Sequence, residues 1–185
     1  MTVQEYFTAL ASCGAGVEAT PWSVADAMTA CVSWLKEARD GKHTVHLMGN
    51  GGSDKVVEHA QIDLVKACGI RAMAHPNNTG MVTAYANDCG YEQSLILPLG
   101  VWLEPDDVVI AVSSSGMSPN VVLASKAALQ TGARLITFSG FHPSNHLRQL
   151  GHVNFWVPKN HYGLVEQTHG TLLHYLTDEL AKSHA

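Results

Sequence analysis

Residues 107–120 read Asp107-Val-Val-Ile-Ala-Val-Ser-Ser-Ser-Gly-Met-Ser-Pro-Asn120. The apolar, β-branched run at the start is typical of a strand that is buried on both faces, as in a parallel sheet. A Ser/Gly turn follows, and Pro119 suits the first turn of a helix because it has no N–H to leave unpaired. The stretch therefore predicts a strand, a polar loop and a helix that continues through Ala128.

The same unit recurs along the chain. Thr44–Met48 predicts a strand that leads through the loop Gly49-Asn-Gly-Gly-Ser53 into a helix ending near Ala67. Further strands are predicted at 71–74, 134–138 and 153–157, and further helices at 3–12, 23–39 and 163–182. Strands separated by helices imply right-handed crossovers and a mostly parallel sheet. We predict an α/β protein: a three-layer α/β/α sandwich resembling flavodoxin, with five strands, preceded by N-terminal helices.

Size and composition restrict the function. The 185 residues predict one domain, with leading helices at 1–40 and an α/β core at 41–185. A net charge of -5 argues against a nucleic-acid partner. No apolar run approaches the roughly 20 residues that span a bilayer, and the N-terminus lacks the features of a signal peptide. We therefore expect a cytoplasmic protein without a membrane partner, whose four scattered cysteines are free.

Two loops indicate an anion site. In open α/β sheets, ligands bind beyond the carboxyl ends of the strands, where both loops are predicted to lie. The glycines of residues 49–53 let backbone N–H groups approach an anion at a helix N-terminus, although such turns also serve tight packing. The loop does not match a nucleotide P-loop. Four serines within residues 113–118 exceed what a helix cap requires, and their hydroxyls would surround the oxygens of a phosphate group.

A second group of side chains has metal-ligand character. His59 and Asp63 are spaced i, i+4 on the helix after the first loop, which puts them on one face. Glu166 and His174 lie about two turns apart on the last helix, and zinc accepts such imidazole and carboxylate ligands. A solvated His–Asp pair is the alternative for the first two residues. We expect His169 to pack behind the site.

These motifs, in this order, resemble a known family. They are Gly49-Asn-Gly-Gly-Ser53, His59 with an acid four residues later, Asn87-Asp88-Cys89-Gly90-Tyr91-Glu92, Ser113-x-Ser-Gly-x-Ser118-x-Asn120 and Glu166-x-x-His169-x-x-x-x-His174. Together they look like the SIS (sugar isomerase) domain family, and within it the sedoheptulose-7-phosphate isomerases. The resemblance covers nearly the whole chain.

The resemblance implies a set of roles. One zinc ion per subunit would be held by His59, Asp63, Glu166 and His174. Asp63 would act as the base on a substrate carbon and His174 as the partner acid, with Glu166 as a second possible base. The substrate-binding set would be Asn50, Gly51, Gly52, Ser53, Asp88, Ser113, Ser114, Ser115, Ser118 and Asn120. The family also implies a homotetramer with sites at subunit interfaces.

The implied chemistry moves a carbonyl between C1 and C2 through an enediol, for which a carboxylate and a His are suitable proton carriers. The prediction is an aldose–ketose isomerase converting sedoheptulose 7-phosphate to D-glycero-D-manno-heptose 7-phosphate. Three departures from the family pattern, Asp63 for Glu, Glu166 for Gln and Gly163 for Asp, keep an isomerase of another sugar phosphate open. A non-catalytic scaffold resembling the DnaA-binding replication-initiation regulator is also open, but it would not need metal-type ligands.

Overall fold

The computed structural model describes residues 1–184 of the chain. Within that range seven α-helices and six β-strands follow one another. The helices are α1 Val3–Ala15, α2 Val24–Gly41, α3 Gly52–Lys66, α4 Thr79–Cys89, α5 Ile96–Trp102, α6 Pro119–Thr131 and α7 Tyr162–Ala181. The strands are β1 Glu18–Thr20, β2 Val45–Met48, β3 Ala72–Ala74, β4 Val108–Ser113, β5 Arg134–Gly140 and β6 Val153–Val157.

The strands form one sheet in the order β1-β6-β5-β4-β2-β3. All neighbours are parallel except β1, which pairs antiparallel with β6. The predicted α/β architecture with a mostly parallel sheet is confirmed, but the sheet has six strands rather than five. The additional strand, β1, lies between the two leading helices. It is only three residues long and largely exposed, so it has no apolar pattern to reveal it.

The sheet is covered on both faces, as the run at 108–113 predicts. Val108, Ile110 and Val112 belong to a core shared with α2, α3 and α7. Their neighbours Val109 and Ala111 belong to a second core shared with α5 and α6. Because successive side chains of a strand point to opposite faces, one short strand stabilises both layers.

The positions of β2 and β4 fix the place of a ligand site. The two strands are neighbours, with Val45 opposite Val108 and Met48 opposite Ala111. However, α3 follows β2 on one face of the sheet, and α6 follows β4 on the other. The crevice at such a topological switch point is where open α/β sheets bind ligands. The loops that follow β2 and β4 line this crevice.

Two helices, α4 and α5, were not predicted. None of the residues of α4 is buried, so that helix has no apolar stripe for a periodicity argument to find. The second, α5, has only seven residues and contains a proline. Among the described helices, none combines the length and the apolar character needed to cross a membrane. All four cysteines are free, as predicted.

A buried polar chain ties together the elements beneath the crevice. His46 on β2 has its Nε2 3.1 Å from Asp107 Oδ2 and its Nδ1 2.8 Å from His75 Nε2. The Asp107 carboxylate also accepts the backbone N–H groups of Thr44 and Glu104. Burial lowers the pKa of His46, which favours its neutral ring. With Nε2–H donating to Asp107, His46 Nδ1 is then the acceptor and His75 donates to it. These hydrogen bonds therefore hold both imidazole rings neutral, each in one defined tautomer.

The buried hydrogen bonds of Asp107, His46 and His75 predict a loss of stability in acid. Burial, with a smaller contribution from His46, lowers the pKa of His75 from 6.5 to about 4. Between these values the unfolded chain binds a proton that the folded chain does not, so stability is full above pH 6.5 and falls as the pH approaches 4. The loss for His75 alone is about 3 kcal/mol over this window.

Urea unfolding at pH 7 and pH 4.5 measures this effect. His75→Gln keeps a donor toward His46 but does not titrate, so its unfolding free energy should fall less between the two pH values than that of the parent. Identical pH dependence in the parent and the variant would contradict the assignment.

Candidate active site

A cavity of about 360 Å³ lies between the loops that follow β2 and β4. Its lining combines residues of both loops with two residues of α7: Asn50, Gly51, Gly52, Ser53, Ser113, Ser114, Ser115, Ser118, Tyr162 and Glu166. Eight of the ten predicted substrate-binding residues are therefore brought together here. Gly51 has a φ of 56°, a left-handed conformation that glycine adopts without a steric penalty.

The serine hydroxyls of this cavity lie close to one another. Ser113 Oγ is 3.1 Å from Ser118 Oγ, and Ser53 Oγ is 3.5 Å from Ser114 Oγ, which links the two loops. The residues that line the cavity include no Lys or Arg. A phosphate here would be bound by hydroxyl and backbone donors near the N-termini of α3 and α6, an arrangement that favours anions.

Asn120 joins the two loops and does not line the cavity. It is buried in the first turn of α6, and its amide exchanges two hydrogen bonds with Asn50, of 2.8 and 2.9 Å. The Tyr91 hydroxyl donates to the same Asn50 oxygen at 3.0 Å. The side-chain amide of Asn50 is thus engaged with protein groups, and the pair sets the distance between the loops.

Asp88 is not among the residues that line the phosphate cavity. It lies exposed near the end of α4, where its carboxylate accepts a hydrogen bond from the Asn87 side chain. Neither cavity of this chain has Asp88 among its lining residues, although Tyr91, two residues after the end of α4, contacts Asn50. The role of Asp88 at the sugar site stays a prediction.

The metal-type residues meet between α3 and α7. His174 Nδ1 lies 3.3 Å and His59 Nε2 3.7 Å from Asp63 Oδ2. The two imidazole rings are edge to face, with centroids 4.8 Å apart. One ligand atom from each of the three residues lies within 4.8 Å of the others. Two imidazoles and a carboxylate are a donor set that zinc accepts, so these residues fit a metal ion.

Glu166 stands apart from this trio, so the structure assembles three of the four expected metal ligands. Eight residues separate Glu166 from His174, a rise of about 12 Å along a helix, which carries Glu166 toward the phosphate loops. Its carboxylate packs over Gly52, where a Cβ would overlap it. Burial raises the pKa of the Glu166 carboxyl group.

A second cavity, of about 380 Å³, contains the His–Asp trio. It is lined by Gly52, Lys55, Val56, His59, Ala60, Asp63, Glu166, Gln167, Gly170, Leu173 and His174. Gly52 and Glu166 line both cavities, so the two cavities adjoin at these residues, and we call the pair of cavities the cleft. One end of the cleft carries the serines, and the other end carries the trio.

Three polar side chains of the cleft were not predicted: Lys55, Tyr162 and Gln167. The sequence does contain a signal for Tyr162, because it precedes Glu166 by four residues and therefore shares its helix face. His169 lies behind the cleft, as expected. It is fully buried, its Nε2 is 3.0 Å from the Ser139 carbonyl oxygen, and burial lowers its pKa to about 4.

Comparison with known proteins agrees with this arrangement. Residues 5–140 match the SIS domain family. The phosphoheptose isomerase of Syntrophotalea carbinolica is 34% identical over 143 residues, which cover 75% of this chain and 72% of that protein. The phosphoheptose isomerase of Geotalea daltonii is 31% identical over 160 residues, covering 84% and 83%.

The fold is also found among solved structures. A phosphoheptose isomerase from Francisella tularensis superposes with a TM-score of 0.86 at 19% identity, covering 98% of this chain and 100% of that one. The chain therefore belongs to the SIS domain family, and its sequence relatives place it with the phosphoheptose isomerases of that family.

Proposed function

We propose that the protein is an aldose–ketose isomerase that converts sedoheptulose 7-phosphate to D-glycero-D-manno-heptose 7-phosphate in the cytoplasm. The observation that carries this proposal is that the two cavities adjoin. The phosphate cavity, which has no Lys or Arg in its lining, adjoins the cavity of the His–Asp trio at Gly52 and Glu166. A linear sugar phosphate can thus be anchored at one end while its carbonyl end reaches the reactive side chains.

The phosphate end binds through Ser53, Ser113, Ser115 and Ser118. Hydrogen bonds to a charged group contribute about 1.5–3 kcal/mol each, so several neutral donors suffice to hold a phosphate dianion without an ion pair. Asn120 keeps the two loops at the separation that these donors require. The anchored phosphate limits the positions that the rest of the sugar can adopt.

The metal end is assigned to His59, Asp63 and His174, with one zinc ion per chain. Three protein ligands leave a fourth position for substrate, as in catalytic zinc sites. Bound zinc would supply Lewis-acid polarisation of the substrate carbonyl. Glu166 is then a carboxylate at the middle of the cleft and not a required ligand.

Proton transfer falls to the chain's own side chains. Asp63 is the base that removes the C1 proton and returns a proton to C2 through the enediol. His174, whose Nδ1 is 3.3 Å from the Asp63 carboxylate, moves protons between the two oxygens. Asp63 is half-buried and water reaches the open cleft, so the transferred proton should exchange with solvent.

A panel of ketose phosphates, each incubated with and without added zinc, tests the function. We expect sedoheptulose 7-phosphate to give the aldose fastest, with zinc dependence. A faster reaction with a shorter ketose phosphate would favour the second candidate, an isomerase of another sugar phosphate, which the acidic Glu166 supports. The absence of conversion of any ketose phosphate would favour a scaffold.

Ser118→Asp tests the phosphate cavity directly. The new carboxylate would face the phosphate dianion, so the KM for the sugar phosphate should rise at least about 100-fold through charge repulsion and loss of a donor. Ser144→Asp, on an exposed loop outside the cleft, is the matched control and should leave the KM unchanged. A Ser118→Asp variant that binds the substrate as well as the parent does would refute the phosphate assignment.

We also infer a homotetramer. An apolar groove of about 730 Å³ runs between α1, α2 and α7, with Phe7 and Tyr175 among its exposed lining residues. Exposed apolar surface of this kind supports a contact between subunits. The exposed helix α4 would pack against another subunit in the same tetramer, and Asp88 near its end would then line a site shared between subunits. Sedimentation equilibrium should give four times the mass of one chain, and a stable, fully active monomer would contradict the inference.

A further inference from the structure

The first turn of α7 brings one aromatic side chain to the phosphate cavity. Tyr162 lines this cavity opposite the serine loops, and it is 62% exposed, so its hydroxyl is accessible to a ligand. We propose that Tyr162 is a substrate-binding residue whose phenolic O–H donates to the phosphate group. The inference rests on the proposed function and adds a residue from a third element to the site.

The position of Tyr162 follows from helix geometry. Tyr162, Glu166 and His174 are spaced by four and eight residues, so they lie along one row of the α7 surface. This row runs from the phosphate cavity, past the junction at Glu166, to the His–Asp trio. One helix face therefore contacts the whole length of the cleft, and Tyr162 is its contact with the phosphate end.

The backbone and ring of Tyr162 are supported by their neighbours. The ring packs edge to face against Phe141, with centroids 4.9 Å apart. Phe141 has a φ of 56°, so its backbone takes a left-handed conformation that is uncommon outside glycine. The side chain of His161, which caps α7, accepts the N–H of Leu164. Such support lowers the entropy lost when the phenol contacts a ligand.

The chemistry of a phenol suits this place. A tyrosine hydroxyl is neutral at pH 7 and can donate a hydrogen bond. The Tyr162 side chain is exposed where it lines the cavity, so a ligand can use its donor. Glu166 lines the same cavity and would repel a phosphate when ionised. A donor four residues earlier on the same helix offsets part of that repulsion.

Tyr162→Phe tests the proposal because it removes only the hydroxyl and keeps the ring against Phe141. The KM for the sugar phosphate and the Kd for inorganic phosphate should both rise about 10- to 100-fold, with kcat within about twofold of the parent. Tyr175→Phe is the matched control. Tyr175 lies on the same helix and is 50% exposed in the apolar groove of the inferred subunit contact, where phenylalanine keeps the ring, so this variant should match the parent.

The outcomes separate the inference from the proposed function. Parent-like KM and phosphate Kd in Tyr162→Phe would overturn the inference, as would a loss confined to kcat. A parent protein that binds phosphate but isomerises no sugar phosphate would refute the proposed function. The phosphate Kd of the parent and of Tyr162→Phe would then still test the role of Tyr162. A parent protein that binds neither phosphate nor sugar phosphate would overturn both.

Discussion

Asp63→Asn should lower the turnover of the sugar phosphate by about 1,000-fold. The substitution keeps the shape of the side chain but removes its ability to accept a proton, and a positioned base contributes about 10²- to 10⁴-fold to such reactions. Exchange of the substrate C1 proton with solvent deuterium should be lost with turnover. Proton NMR of the ketose phosphate in D2O measures the exchange rate even where no net product accumulates.

Glu166→Gln is the matched carboxylate variant. Glu166 lies at the junction of the two cavities and outside the His–Asp trio, so the variant should keep exchange within about tenfold of the parent. Rapid exchange in Asp63→Asn, together with its loss in Glu166→Gln, would transfer the role of base to Glu166. Parent-like exchange in both variants would exclude either carboxylate as the base.

His174→Gln should also lower turnover by about 1,000-fold, because it removes the partner acid as well as an imidazole of the trio. Bound zinc, measured by atomic emission after dialysis, should fall with it, since one of three ligand side chains is replaced. His146→Gln, on an exposed loop after β5, controls for the general loss of an imidazole and should match the parent.

The result that would contradict this assignment is specific. A His174→Gln variant with the parent's zinc content and turnover would show that α7 contributes neither ligand nor acid. Normal zinc content with turnover reduced about 1,000-fold would support His174 as the partner acid but would show that it is not a zinc ligand.

The long elements that bury side chains were predicted from the sequence, and the seven-residue α5, which buries Pro98 and Leu99, was missed because it is short. The run at 108–113 alternates between two cores, so its strand and the two covering layers are predictable. The edge strand β1 and the helix α4 were missed for the opposite reason. The strand is held by backbone pairing with β6, and the helix buries none of its residues.

The site divides in a similar way. The serine loops were predictable because each follows a buried strand, and β2 and β4 end side by side at the switch point. The eight-residue spacing of Glu166 and His174 separates them by about 12 Å along α7, but which of the two lies beside His59 and Asp63 depends on how α3 and α7 pack. Tyr162 was missed although its spacing of four residues from Glu166 places both side chains on one helix face.

The most direct test of the central claim is deuterium incorporation during turnover of sedoheptulose 7-phosphate by the zinc-loaded parent protein in D2O. A carboxylate base in an open cleft predicts an aldose product that carries deuterium at C2, and recovered ketose that carries deuterium at C1. Aldose formation without deuterium in either sugar after prolonged incubation would contradict proton transfer by Asp63. No aldose formation at all would contradict the proposed isomerase.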